Sequence, residues 1–216
     1  MRIRQTLVAV CALAVGVPGC HHNASMMHAS IPESVHSSLL NVLQPLPQQS
    51  IRVHEDSAPS VFPNTRFFTA TRVPPFGAGE DVRPDRATLV ISAADTVLVT
   101  RVADLRQVWA TTHIGPVTEP TRALETVLTL LEKTAVIQSS EIVRSTEQLK
   151  SRYGLLDDST RLGTVGPPSA HIAKDMTVVR VVTDGRGGVV RYEFTFDHAG
   201  PLTIRSDTLA RYITRM

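Results

Sequence analysis

The chain has 216 residues, of which 22 are Lys or Arg and 20 are Asp or Glu, so its formal net charge is +2. This near balance disfavours the basic patch or stripe on which nucleic-acid binding depends. With 42% hydrophobic residues, the chain is long enough to bury a core without disulfides or metal ions.

The first twenty residues have the pattern of a secretory signal. Arg2 and Arg4 give a positively charged start, and residues 6–17 form an apolar run. This run is shorter than the roughly 20 apolar residues that a membrane-spanning helix needs. It also lacks a polar face, which disfavours a buried core helix. We therefore expect export of the chain, with residues 1–19 removed as a signal peptide.

A targeting motif follows the apolar run. Val17, Pro18, Gly19 and Cys20 resemble a bacterial lipobox, the motif in which a Cys is lipidated and becomes the mature N-terminus. The resemblance covers only this segment. It implies a lipid anchor on Cys20 and a location in the bacterial cell envelope, on the periplasmic or outer face. Ordinary cleavage by signal peptidase is the alternative.

The cysteine content agrees with lipidation. Cys11 lies in the apolar run and would leave with the signal, so Cys20 would be the one Cys of the mature chain. A lone Cys in an exported protein needs an explanation, and a thioether bond to lipid supplies one. The alternative is a Cys11–Cys20 disulfide in a chain that keeps its signal.

Residues 20–86 are expected to form a proline-rich tether. Eight of the fourteen prolines lie in this region, and proline interrupts both helices and sheet ladders. One short helix is predicted over residues 32–43, where apolar residues recur at helical spacing at Val35, Leu39 and Leu43. Whether the second half of the region is ordered stays open, since it also holds apolar pairs able to dock on a domain.

A single α+β domain is predicted over residues 87–216. Its first part is expected to be a hairpin of strands over 87–92 and 96–101, which are rich in β-branched residues. A short helix is expected over 103–110. A longer helix over 118–133 would be capped by Thr118 and would bury a stripe of Leu124, Val127, Leu128 and Leu131.

The middle of the domain is ambiguous. A short strand is predicted over residues 135–138 and a second helix over 140–153, with Gly154 as its end. Residues 134–145 are also compatible with an extended conformation. A loop is expected over residues 163–168.

The C-terminal end predicts a three-stranded antiparallel meander, with strands over 176–183, 189–196 and 201–205. In the second strand, apolar residues alternate with polar ones, which gives the strand one apolar and one polar face. Ser206 is expected to cap a final helix carrying Leu209 and Ile213. The predicted fold class is thus α+β, an antiparallel sheet made of this meander and the N-terminal hairpin, with two to four helices packed on it.

Catalytic sequence motifs are absent from the chain: there is no HExxH, GxSxG, P-loop or GxGxxG. Gly185, Gly187 and Gly188 fit a hairpin turn better than a phosphate loop. The acid–base candidates are His113, His171, Asp184, Asp197 and His198, and a hydrolase could assemble a triad from distant positions of this kind. No cofactor is predicted.

Four histidines lie close together near the anchor, at positions His21, His22, His28 and His36. Imidazoles in a flexible segment bind Zn²⁺ or Cu²⁺ at most weakly, so no metal site is predicted there. The aromatic residues, Trp109 with Tyr192, Phe194 and Phe196, are expected in the core rather than in a ligand platform.

The leading functional hypothesis is a lipid-anchored envelope protein with a non-enzymatic binding domain, whose partners are the membrane and another envelope protein, not nucleic acid. One alternative is an exported hydrolase with a site near His171 or His198. The other is weak metal binding by the N-terminal histidines.

Overall fold

The computed structural model describes residues 31–44, 50–56, 59–73, 86–112, 117–151, 153–157, 160–185, 187–197 and 201–213. Ile31–Met216 form one compact unit. Its helices are α1 (Glu33–Leu43), α2 (Leu105–Thr111), α3 (Pro120–Lys133) and α4 (Glu147–Lys150). Its strands are β1 (Ser50–Asp56), β2 (Arg66–Val73), β3 (Arg86–Ile91), β4 (Thr96–Val99), β5 (Ser169–Ala173), β6 (Met176–Gly185), β7 (Gly188–Asp197) and β8 (Leu202–Ala210).

The strands form two four-stranded antiparallel sheets, and the predicted α+β class is confirmed. The first sheet has the order β1-β2-β3-β4 and the second the order β5-β6-β7-β8, so each sheet is a meander in chain order. The predicted hairpin is β3–β4, which β1 and β2 extend. The predicted C-terminal meander is β6–β7–β8, which β5 extends.

The first sheet buries both of its faces. Successive residues of a strand point to opposite faces, and on β2 the neighbours Phe67 and Phe68 enter different apolar clusters. Phe68 packs with Leu39 and Leu43 of α1, whose predicted apolar stripe is confirmed. Phe67 faces the central core, where its ring meets the ring of Phe62 edge-on at 5.9 Å between centroids.

Helices α2 and α3 lie between the two sheets. The central core contains Leu105 and Val108 of α2, Val127 and Leu130 of α3, and residues from the inner faces of both sheets. From the second sheet these include Val179, Val181, Phe194, Phe196, Leu202 and Ile204. The layers are therefore α1, the first sheet, α2 with α3, and the second sheet.

The outer face of the second sheet is covered over part of its area. Leu149, Leu156 and Leu162, which follow α3 in sequence, pack against Val182 and Leu209 in a separate apolar cluster. The backbone N–H of Val143 also donates to the carbonyl of Val182 at 2.8 Å. Thus the described residues of the segment 143–165, namely 143–151, 153–157 and 160–165, cap this end of the sheet and leave the opposite end open.

The strands before Ala87 correct the predicted tether. Residues 50–56 and 66–73 are β1 and β2, and β2 pairs with β3 from Arg66 opposite Ile91 to Thr71 opposite Arg86. The domain therefore begins at α1 and not at Ala87. The tether was predicted from the high proline content of this region. Pro59 and Pro63, however, lie in the turn between β1 and β2, where they interrupt no ladder of hydrogen bonds.

Two predicted elements between α3 and β5 differ in the structure, one being wrong and the other shorter than predicted. Residues 135–138 form no strand, and the helix predicted over 140–153 shrinks to α4. Around it the chain is irregular, with an isolated bridge between Ile142 and Thr183. At Ile142 the structure therefore agrees with the alternative prediction of an extended conformation and not with the predicted helix. Apolar residues here pack singly onto the second sheet, so no helical stripe develops.

Four further differences concern two strands, one helix cap and the buried face of α3. The sequence did not predict β5, and no final helix follows Ser206, because β8 continues to Ala210 in register with β7. Leu209 is buried, whereas Ile213 is exposed. Thr118 does not cap α3, whose N-cap residue is Glu119 without a side-chain hydrogen bond. The buried stripe of α3 is also rotated, since Ala123, Thr126 and Leu130 are buried while Leu124 and Leu128 are half-buried.

The β6–β7 hairpin depends on one glycine. Gly188 has a φ of +126°, and a Cβ built on it would lie 2.2 Å from the carbonyl oxygen of Ala210 and 2.8 Å from Cα of Arg211. The register between β7 and β8 shifts at Val189/Val190, next to this position. A side chain at Gly188 therefore conflicts with both backbone conformation and space.

Gly188→Ala is expected to lower the free energy of unfolding by about 2 kcal/mol or more, because neither the positive φ nor the β8 backbone accommodates a Cβ. Gly187→Ala is the matched control, since its Cβ would meet no atom within 4 Å. Urea denaturation of both variants measures the difference. Equal stability of the two variants would contradict the assigned conformation of this hairpin.

A second local structure fixes the entry to α2. The carboxylate of Asp104 accepts hydrogen bonds from the backbone N–H groups of Thr100 and Arg101, each at 3.1 Å, and from Nε of Arg101 at 3.0 Å. Burial acts to raise the pKa of Asp104, but the hydrogen bonds and the charge of Arg101 prevail and lower it below its usual 3.8. The folded state therefore favours the ionised carboxylate.

Asp104→Asn is expected to lower the free energy of unfolding by about 1 kcal/mol at pH 7. Because the folded-state pKa is lowered, the contribution of the carboxylate is present above its unfolded pKa and is lost as the pH falls through the folded value. The gap between wild type and variant should therefore close below about pH 3.8. Denaturation curves at several pH values test this, with exposed Asp175→Asn as the control. A gap that persists at low pH would count against the argument.

Candidate functional site

The open end of the second sheet carries a polar face. Its cross-strand register brings Arg180 opposite Glu193 and Glu193 opposite Arg205. One step along, the register brings His171 opposite Val178, Val178 opposite Thr195, and Thr195 opposite Thr203. We call these residues, together with Ala173 and Met176, the outer-face cleft. These nine residues line a concave surface with a volume of about 310 Å³.

The predicted acid–base residue His171 lies in this cleft. It is exposed on β5, and its side chain makes no hydrogen bond or ion pair to a described residue. The structure therefore does not bring a nucleophile or a carboxylate into hydrogen-bond reach of His171. The candidates His113 and His198 lie outside the described residues.

The two predicted aspartates lie at the two ends of the β6–β7 ladder. Asp184 is half-buried and accepts a hydrogen bond of 2.5 Å from the hydroxyl of Tyr212, which ties the chain beyond β8 to β6. Asp197 is exposed at the end of β7, in register with Met176. The structure does not bring the two aspartates together.

Ion pairs organise the polar face. Nε of Arg180 lies 3.0 Å from a carboxylate oxygen of Glu193. Asp207 accepts from Arg191 at 2.8 Å and from Arg161 at 2.6 Å. These groups are substantially exposed, so each pair contributes about 0–1 kcal/mol to stability. Their main effect is on the charge distribution of this face, because they determine which guanidinium groups are neutralised by an acid.

Arg205 differs from the other arginines of this face. It is exposed, and it makes no ion pair or hydrogen bond with a described residue. Its register neighbour Glu193 is already bound by Arg180. Arg205 borders the outer-face cleft and also a second depression of about 250 Å³ beside Arg191, Ser206 and Asp207. It thus places an uncompensated positive charge between two concave surfaces.

A separate polar cleft of about 350 Å³ lies on the first sheet, between β1–β3 and the end of α3. Beneath its lining residue Thr69, the buried Oγ1 of Thr88 donates to the carbonyl of Thr134 at 2.7 Å and lies 3.1 Å from Oγ1 of Thr69. Thr69 also donates to Asp56 at 3.3 Å, whose carboxylate is 3.5 Å from Nε2 of His54. These contacts satisfy buried hydroxyls and join α3 to the sheet, which is a structural role.

The aromatic residues belong to the core, as predicted. Phe194 and Phe196 are buried, and the ring of Trp109 meets that of Phe196 at 4.8 Å with an interplanar angle of 63°. Tyr192 is half-buried, and burial, together with the charge of Glu141, raises the pKa of its hydroxyl. No aromatic platform for a ligand results.

The predicted anchor and most N-terminal histidines lie outside the described residues, which excludes Cys20, His21, His22 and His28 from structural description. His36 is exposed on α1. Within the described part of the chain, no group of three or more His, Cys, Asp or Glu side chains is placed to hold a metal ion. In the same residues, no helix has both the length and the apolar composition to cross a membrane.

Strand β5 is an outer edge of the second sheet. It pairs with β6, and no other described strand lies beside it. Its residues Ser169–Ala173 include no Lys, Arg, Asp or Glu. The other outer edge, β8, is different, since Arg106 and Arg161 donate to its carbonyls at Ile204 and Thr208 at 2.5 and 2.9 Å.

Sequence reasoning found His171 but missed the arginines around it. The alternation of β7 did indicate that Arg191, Glu193 and Thr195 share a polar face. The neighbours of that face on β6 and β8 required the strand register, which the sequence alone did not supply. Comparison of the chain with family models, with curated proteins and with solved structures gave no match.

Proposed function

We propose that this chain is a lipid-anchored, exported protein of the bacterial cell envelope whose folded unit is a non-enzymatic binding module. The anchor rests on the sequence of residues 1–20, with Cys20 as the lipidated residue. The binding role rests on one observation, the open edge of β5, which carries no Lys, Arg, Asp or Glu. The proposed partner is an extended segment of another envelope protein.

An open edge strand offers unpaired N–H and C=O groups to which an extended peptide adds as a further strand. Proteins usually protect such edges with charged side chains, proline or covering elements. The edge strand β1 follows this rule, since Arg52, Glu55 and Asp56 are on it. Strand β5 carries no Lys, Arg, Asp, Glu or Pro, and its Ile172 is 56% exposed. Strand addition at β5 would cover this side chain and pair the free backbone groups.

The alternative hydrolase is less well supported by the geometry. A hydrolase of the triad type needs its histidine within about 2.6–3.2 Å of a nucleophile and of an orienting carboxylate. His171 makes no such contact with a described residue. The metal-binding alternative depends on His21, His22 and His28 and is supported by the sequence alone.

Ile172→Lys is expected to reduce capture of the envelope partner at least about tenfold, because a lysine on the edge opposes strand addition. Ile213→Lys is the matched control, since Ile213 is 53% exposed and lies outside β5. Pull-down of both variants from native envelopes, with quantitative mass spectrometry, measures the ratio. Undiminished capture by Ile172→Lys, with a wild-type urea midpoint for both variants, would refute the edge as the binding surface.

Hydrogen exchange provides a second measure on the unmodified chain. In the captured complex the amides of β5 should exchange more slowly than in the free protein, while those of β1 should be unchanged. Slowing at β1 instead of β5 would overturn the assignment. A wild-type dimer that Ile172→Lys dissociates would also overturn it, because a second copy would then occupy the edge.

The anchor has its own test. Cys20→Ser is expected to move the protein from the membrane fraction to the soluble fraction, because the serine cannot form the thioether bond to lipid. Cys11→Ser serves as the control and should leave fractionation unchanged. Intact mass of wild-type protein should show a diacylglyceryl-type addition on an N-terminus at Cys20. An unmodified N-terminus at any other residue would disprove lipidation.

A further inference from the structure

We propose that the outer-face cleft binds a carboxylate group, with Arg205 as the residue that pairs with the anion. This site goes beyond strand addition at β5 and does not depend on it, because its key groups belong to β7 and β8. The proposal rests on three features of the described residues: the pairing of the arginines, two hydroxyls that line the cleft, and the charge of its lining.

The arginines divide into paired and uncompensated groups. Arg180, Arg191 and Arg161 each contact an acidic side chain of the same face, at distances between 2.6 and 3.0 Å. Arg205 makes no such contact with a described residue, although it is the register neighbour of Glu193. The carboxylate that it lacks among the described residues is the group that we expect a ligand to supply. A guanidinium and a carboxylate form two parallel hydrogen bonds, the strongest pairing available to either group at a surface.

Two hydroxyl groups lie beside Arg205. Thr195 and Thr203 are register partners on β7 and β8, and both line the cleft. Neither side chain makes a hydrogen bond to a described residue. Adjacent hydroxyls on one sheet face have Cβ atoms about 5 Å apart, a spacing that allows both to donate to one oxyanion. Arg205 and the two threonines thus form a set of donors around the same small volume.

The charge of the lining favours a carboxylate over a phosphate. Among the acidic and basic side chains of the cleft, Arg180 and Glu193 neutralise each other and Arg205 adds one positive charge. One positive charge matches the single negative charge of a carboxylate. A phosphate group carries about −1.5 to −2 at pH 7 and would meet Glu193 close by. The ligand class is therefore a carboxylate, on a small acid or on an acidic peptide.

The test is an NMR titration of the mature chain with three probes: acetate, a short poly-glutamate peptide and inorganic phosphate. Acetate and the peptide should shift the signals of Thr195, Thr203 and Arg205 saturably, with half-saturation by acetate at about millimolar concentration. Arg205→Gln should raise that concentration at least about tenfold, since the charged hydrogen bonds are lost. Arg52→Gln is the matched control, because Arg52 is likewise an exposed strand arginine without an ion pair to a described residue.

Each outcome decides between alternatives. Saturation by acetate and by the peptide supports a site for a single carboxylate group, and saturation by the peptide alone supports carboxylates on a chain. Tighter binding of phosphate than of acetate overturns the assigned chemistry. Absence of saturable shifts, or equal losses in Arg205→Gln and Arg52→Gln, overturns the site. Because Ile172 is unchanged throughout, failure here leaves strand addition at β5 standing, and the reverse also holds.

Discussion

Both sheets of this protein bury their inner faces against one shared layer of helices, and the rest of the structure depends on that layer. Val127, Leu130 and Leu131 of α3 are fully buried in a cluster that includes β-strand residues from both sheets. Burial of each such side chain contributes about 1.5–3 kcal/mol. The hydrogen bond from Thr88 to the carbonyl of Thr134 adds a polar link from the first sheet to the end of α3. The two meanders are therefore parts of one domain.

A shared layer leaves each sheet with one further face, and the two faces are treated differently. Helix α1 covers the first sheet through Val35, Leu39 and Leu43. The segment 143–165 covers one end of the second sheet and stops short of the other. Because the other end contacts water, its side chains are polar, and they include arginines paired with acidic residues. Both proposed surfaces, the edge of β5 and the cleft beside Arg205, lie outside the apolar cluster that this segment forms on the sheet.

Periodicity predicted those parts of the fold in which it is strongest. The strands β3, β4, β6 and β7 and the helices α1 and α3 follow from runs of β-branched residues or from helical spacing. Strand β5 was missed because Ser169–Ala173 includes small residues with little preference for strands, and pairing with β6 decides its conformation. The final helix was wrong for a related reason. Ser206 and the spacing of Leu209 and Ile213 suit a helix locally, but pairing with β7 satisfies the backbone up to Ala210.

The candidate site was less predictable than the fold, since it is defined by register and not by composition. Glu193 lies between two arginines on neighbouring strands. Its carboxylate pairs with Arg180, so Arg205 has no acidic partner in the part of the chain that the structure describes. Nothing in the local sequence of Glu193 indicates which arginine it contacts. A shift of one residue in the pairing of β7 and β8 would turn every side chain of β8 to the other face. The Val189/Val190 irregularity and Gly188 lie at the start of that same ladder. The backbone constraint at the hairpin therefore also positions the uncompensated charge of Arg205.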